Sequence, residues 1–137
     1  MIKYVGIDYG LSHLGLATSE HTLATPLSSL QNNSTLISRL SAIVSKEGIT
    51  HIICGLPEGQ LASKITIFVK KLRLATGISV ILHPETLSTQ EAIVLLRRSG
   101  ASRAKLKDNH AYAACLILED YLELTQSSRP ASRQGGP

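Results

Sequence analysis

Asp8, Glu85 and Asp108 are acidic residues placed where this 137-residue chain leaves or enters a structural element, away from any solvated helix face. Asp8 closes the segment IKYVGID (residues 2–8), Glu85 follows ISVILH (78–83) and Pro84, and Asp108 precedes the last apolar-periodic segment. If segments 2–8 and 78–83 run parallel in one sheet, their C-terminal ends share an edge and the first two carboxylates can converge there. Asp108 is spaced three, four and seven residues from Ala111, Tyr112 and Cys115, which puts it on or beside the inward face of a final helix. Three carboxylates held together repel and raise one another's pKa unless a cation neutralises them, so the constellation implies a hard divalent metal, Mg²⁺ or Mn²⁺. Two such ions roughly 3.5–4 Å apart could activate a water and stabilise the leaving oxygen in phosphodiester hydrolysis.

Each acid also has a structural reading. Asp8 before Tyr9-Gly10 fits turn chemistry, Glu85 fits an exposed charge before a helix, and Asp108 fits an N-cap at the positive end of a helix dipole. The three together, in the element order set out below, favour the metal site. His83 and His13 border the expected cleft and could assist proton transfer or substrate contact, although lone histidines more often serve structure. Gly10 and Gly55 fall after strands at the same edge, where a missing side chain admits either a phosphate or a neighbouring strand.

Charge suggests the substrate. From Lys64 to Lys107 there are nine basic residues (Lys64, Lys70, Lys71, Arg73, Arg97, Arg98, Arg103, Lys105 and Lys107) against two acidic ones, Glu85 and Glu91. Arg97, Arg98, Arg103, Lys105 and Lys107 crowd the stretch RRSGASRAKLK before Asp108, where they could hold a phosphate backbone beside the carboxylates. One Phe, four Tyr and no Trp give little basis for stacking single-stranded bases, so backbone and shape contacts are expected.

The elements that must position these residues follow from periodicity. Residues 2–8 read as a first strand, and LGLATSE and LATPLSSL as two more in an antiparallel meander. Leu36, Ile37, Leu40, Ile43 and Val44 recur at helical spacing, with Asn33 or Ser34 as cap and Gly48 as terminator. THIICG (50–55) reads as a buried parallel strand; Leu61, Ile65, Phe68, Val69 and Leu72 mark a second helix closed by Gly77. After the strand 78–83, Ser88-Thr89-Gln90-Glu91 has capping-box spacing for a third helix ending near Ser99. A last helix presents Ala111, Ala114, Cys115, Leu118, Tyr121 and Leu122 inward, with Glu119, Asp120 and Glu123 on its polar face.

The expected fold is α/β: a five-stranded mixed sheet in the order β-β-β-α-β-α-β-α-α, with helices on both faces. One domain over residues 1–124 is followed by a tail, 125–137, expected to be disordered. With 43% apolar and 18% charged residues the chain can bury a core, and a formal net charge of +4 suits a polyanionic partner. No apolar run approaches the roughly 20 residues of a membrane span and no leader pattern opens the sequence, so a cytoplasmic protein is expected. Cys54 and Cys115 read as buried thiols.

In their order and spacing, several pieces resemble the YqgF family, proteins similar to Holliday junction resolvases and also described as pre-16S ribosomal RNA nucleases. The pieces are GIDYGLSHLGLA, GLP after the fourth strand, Phe68 and Leu72, HPETLSTQEA, a basic loop and DNHAYAACLILEDYL. The resemblance covers roughly residues 2–124. It implies an RNase H-like fold and a Mg²⁺- or Mn²⁺-dependent endonuclease whose acids match Asp8, Glu85 and Asp108, trimming the 5′ end of precursor 16S ribosomal RNA in the cytoplasm; between monomer and homodimer the sequence does not choose. Two departures stand out. The family's Asp-Glu-Arg is here Pro84-Glu85-Thr86, and the segment after Gly-Leu-Pro is short, with Glu58-Gly59 in place of a longer loop.

The leading expectation is thus a metal-dependent nuclease for structured RNA. Cleavage of branched DNA is the rival of the same chemistry, and a non-catalytic nucleic-acid-binding protein the rival of a different class. An ATP-binding, sugar-kinase-like or actin-like domain is prompted by Asp8-Tyr9-Gly10 but needs a second half that this length does not hold.

Overall fold

The computed structural model describes residues 1–57, 59–98 and 109–134. Among them are five strands, β1 (Tyr4–Tyr9), β2 (His13–Ser19), β3 (Thr25–Gln31), β4 (His51–Leu56) and β5 (Val80–Pro84). Four helices accompany them: α1 (Leu36–Glu47), α2 (Leu61–Thr76), α3 (Leu87–Arg98) and α4 (Asn109–Gln134). The strands form one sheet in the order β3-β2-β1-β4-β5. β1–β2 and β2–β3 pair antiparallel, while β1–β4 and β4–β5 pair parallel. This is the mixed sheet and element order expected from the sequence. α4 continues to Gln134, so helix extends past residue 124, where the sequence reading ended the domain.

The alternation of side chains along a strand sorts the sheet into two faces. Val5 and Ile7 of β1, Leu14 and Leu16 of β2, and Ile52 and Cys54 of β4 pack against Leu36, Leu40 and Val44 of α1 and Ile65, Phe68 and Leu72 of α2. The opposite face presents Ala17 and Ile53 to Ala114, Cys115, Leu118 and Leu122 of α4. Small residues on that face let α4 lie close: a β-carbon on Gly15 would run into the backbone carbonyl of His110, in the first turn of α4. The N-terminus of α4 is thereby brought to the sheet edge where β1, β4 and β5 all end. Gly48 and Gly77 end α1 and α2 in left-handed conformations, φ 67° and 74°, that favour glycine.

Two caps differ in detail from expectation. Asn33 does act at the start of α1, but its Oδ1 accepts the Thr35 N–H at 3.0 Å and Thr35 itself is the N-cap residue. The expected capping box at Ser88 is displaced: α3 already begins at Leu87, and Thr86 caps it by accepting the Thr89 N–H on Oγ1 at 3.2 Å. Threonine two positions earlier has the same capping chemistry, and the end of β5 at Pro84 decides which of the two hydroxyls reaches the orphan donors.

Candidate active site

Asp8 sits next to last in β1, opposite Gly15 of β2, on the sheet face that α4 covers. It is buried, 6% exposed, and among the described residues no other charged side chain is buried to that degree. Glu85 directly follows β5. Between them runs β4, where Cys54 pairs with Ile7 of β1 on one side and Leu82 of β5 on the other. Gly55, one residue on, carries no side chain, and Glu85 Oε2 lies 3.0 Å from where its β-carbon would stand. The two acids, 77 residues apart by number (85 − 8), therefore converge across Gly55. The Cys54 thiol registers both: burial pushes its pKa far up, and the negative charges of Asp8 and then Glu85 push it further.

Asp108, Arg103, Lys105 and Lys107 lie outside the described residues, as does Glu58. Arg97 and Arg98 close α3, and their side chains are also outside the described set. Among the described residues no group of three His, Cys, Asp or Glu side chains is assembled as a metal cage. The structure thus brings together two of the three expected acids.

It also adds a residue that sequence reasoning missed. His110, in the first turn of α4, points Nδ1 at Asp8 Oδ2 across 3.5 Å. His110 Nδ1 is buried and has no hydrogen-bond partner among the described residues. His13, expected to border the cleft, does so by stacking on His110, with ring centroids 5.7 Å apart and planes at 20°. Asp8, Glu85 and His110 thus lie toward one edge of the sheet, with His110 paired to Asp8, but these described residues alone do not complete a metal cage.

His83 is placed otherwise. Its Nε2 is 2.8 Å from Oδ2 of Asp120 on α4. Asp120 Oδ1 in turn accepts from the Thr86 hydroxyl at 3.3 Å, and Thr86 Oγ1 is hydrogen-bonded to Thr89 Oγ1 at 2.9 Å. Gln90 Nε2 donates to the Glu85 carbonyl at 3.0 Å. These bonds bracket Glu85 on both sides and fix the turn that carries it. They also correct the reading of the polar face of α4: Asp120 is drawn inward, and Glu119 accepts the Ala24 N–H at 2.8 Å, leaving Glu123 exposed. Thr89 is buried in this network, so its role is structural. Cys54 and Cys115 are free, buried thiols, as expected.

On the other face of the sheet, beside Tyr9, a groove of about 340 Å³ opens between α1 and α2. Asn33, Phe68 and the exposed Lys64 and Lys71 line it, with the Tyr9 and Phe68 rings 4.8 Å apart. Among the described residues no helix is long and apolar enough to cross a membrane.

Residues 2–124 match the family described as "RuvX: Holliday junction resolvase". Two curated relatives, each named "Putative pre-16S rRNA nuclease", come from Anaplasma marginale and Thermoanaerobacter pseudethanolicus. The first is 32% identical over 90% of this chain and 86% of its own length, the second 34% identical over 89% and 96%. Among solved structures, Thermus thermophilus RuvC in complex with a Holliday junction substrate is similar with a TM-score of 0.61 at 15% identity, covering 93% of this chain and 98% of its own. The fowlpox virus Holliday junction resolvase is similar with a TM-score of 0.56 at 12% identity, covering 91% and 99%. At these identities the likeness is one of fold.

Proposed function

The chain belongs to the RuvX family of Holliday junction resolvases, and from that premise we propose that it is a Mg²⁺- or Mn²⁺-dependent endonuclease that cuts structured RNA in the cytoplasm, processing the 5′ end of pre-16S ribosomal RNA. The names of the relatives supply the substrate class. The observation that carries the chemistry is the convergence of Asp8 and Glu85 across Gly55, at the edge where three parallel strands end.

In this reading Asp8, Glu85 and Asp108 hold the metal. A bound divalent ion supplies Lewis-acid activation of water and neutralises charge on the scissile phosphate. The chain's own residues do the positioning. Asp8 is buried on a central strand, so its carboxylate has little freedom to turn away. The first turn of α4 lies over Gly15, directing the positive end of a helix dipole toward the same edge, where anionic groups are favoured. Lys64 and Lys71, at the groove beside Tyr9, offer cations to a phosphate backbone, and Arg97, Arg98, Arg103, Lys105 and Lys107 are read from the sequence as further backbone contacts.

The purified chain should cut a precursor 16S ribosomal RNA fragment only when Mg²⁺ or Mn²⁺ is present. Asp8→Asn should lower the rate by at least about a hundredfold, the scale on which one preorganised electrostatic stabiliser acts, with an unchanged circular dichroism spectrum. Undiminished cutting by Asp8→Asn removes the ligand assignment. Symmetric cutting of a four-way DNA junction, with the ribosomal precursor untouched, would replace the RNA substrate with branched DNA.

A further inference from the structure

Lys64, Ile67, Phe68 and Lys71 of α2 all line the groove beside Tyr9. Their helical spacing puts them on one stripe, with the two lysines about 10 Å apart along the axis. The stripe is apolar in its middle and cationic at both ends. Phe68 is buried and its ring pairs with that of Tyr9 at 4.8 Å, but Ile67 is 57% exposed. A lone exposed isoleucine is ordinary on a protein surface. This one faces a groove of about 340 Å³ that Ile37 of α1 also lines, and none of the described residues around it is acidic. The groove is tied to the loop that follows Asp8 and Tyr9: Asn32 Nδ2 donates to the Gly10 carbonyl at 2.8 Å, and the Asn32 N–H donates to the Ser12 carbonyl at 2.9 Å. Its wall is therefore preformed, which lowers the cost of ordering it around a ligand.

We propose that this groove receives one unpaired nucleotide of the RNA strand, its base against Ile67 and the Tyr9–Phe68 pair and its flanking phosphates on Lys64 and Lys71. This rests on the nuclease reading above and deepens it: the substrate is cut where a single strand meets a helix, because the groove begins at Tyr9, next in the chain to Asp8. At about 340 Å³ the groove is at the small end of clefts for single ligands, roughly 300–1,000 Å³, so a duplex touches its rim without entering. A phosphate backbone alone engages the lysines and leaves Ile67 in water, whereas a base covers the apolar middle of the stripe as well. The small number of aromatic residues in the sequence argued against stacking on bases, but the fold gathers Tyr9 and Phe68, far apart in the chain, into this one groove.

The test compares two RNA hairpins with the same stem, one blunt and one carrying an unpaired flank, bound to the full chain without divalent ions so that nothing is cut. Fluorescence anisotropy should show the parent chain preferring the flanked hairpin. Ile67→Ser should weaken binding of the flanked hairpin by at least about fivefold, the low end of what a base contact contributes, and leave the blunt one unchanged. Ile67→Leu, which keeps the apolar surface, should keep the preference. Equal affinity of the parent chain for the two hairpins overturns the inference and leaves the nuclease reading standing, since metal-dependent cutting is measured separately. A flank preference that survives Ile67→Ser, or a loss that affects both hairpins alike, overturns it too, because the base would then lie elsewhere or the change would act on the fold. A flank preference lost in Ile67→Ser, in a chain that cuts no RNA with Mg²⁺ or Mn²⁺, removes the nuclease reading and upholds the nucleotide groove.

Discussion

Glu85 reaches the candidate site through the space that Gly55 leaves open: Oε2 lies 3.0 Å from the position of a β-carbon on that glycine, and Ile117 Cδ1 lies 2.7 Å from it on the α4 side. The carboxylate and the helix side chain share one vacancy in the strand surface.

Gly55→Ala is therefore expected to act twice. Contact with Ile117 should cost about 1–3 kcal/mol of stability, as overpacking does, and the displaced carboxylate should weaken metal binding. Ile117→Val in the Gly55→Ala background shortens the apolar neighbour and should restore much of the stability but not the metal affinity. Chemical denaturation and Mn²⁺ calorimetry on both variants separate the effects. Equal recovery of both quantities would show that Glu85 is not displaced.

Asp120 joins His83 and Thr86, the residues on either side of the Pro84–Glu85 step. Asp120→Leu should release that turn and lower Mn²⁺ affinity by roughly 10–100-fold, the range typical of groups that orient a metal ligand. Asp120→Asn retains an acceptor and should recover most of the loss. If binding is unchanged in Asp120→Leu, the network serves packing alone.

Lys64 and Lys71 flank the groove beside Tyr9. The double change to Gln should weaken RNA binding across unrelated sequences and reduce the slope of log affinity against log salt by roughly two, about one for each phosphate contact removed. Metal affinity should stay as in the parent chain. An unaltered salt slope would take this groove out of the nucleic-acid path.

Burial, then the charge of Glu119, pushes the Cys115 thiol up from its ordinary 9.0 to about 11. Above pH 9 the unfolded chain sheds this proton while the folded one keeps it, so the folded state binds more protons and stability falls as pH rises. The contribution is complete below pH 9 and declines through the window from 9.0 to about 11. Denaturation midpoints of the parent chain should fall more steeply across this window than those of Cys115→Ala. Parallel curves would contradict the buried thiol.

The caps and the site illustrate how local and long-range information divide. The β-formers of IKYVGID and the 3.6-residue recurrence of Leu36, Leu40 and Val44 mark segments that can bury side chains, and burial selects such segments wherever the element ends up. The cap of α3 needed more: Thr86 and Ser88 are both suitable hydroxyls, and the choice rests on where β5 releases the chain.

The sequence by itself determined the order of strands and helices, the two helix-ending glycines, the buried thiols, and the placement of Asp8 and Glu85 at the ends of strands. All of these depend on side-chain type and short spacing. Only the tertiary structure decided that Glu85 passes over Gly55 toward Asp8, that His110 turns its nitrogen to Asp8, and that Asp120 leaves the polar face of α4 to hold His83 and Thr86. The rotation of α4 about its own axis, fixed by close packing on Gly15 and the neighbouring small residues, selects which of its polar side chains point inward. A heptad-like pattern names the apolar face but leaves the residues at its border free to fall on either side, because their direction is set by contacts with strands far away in the chain.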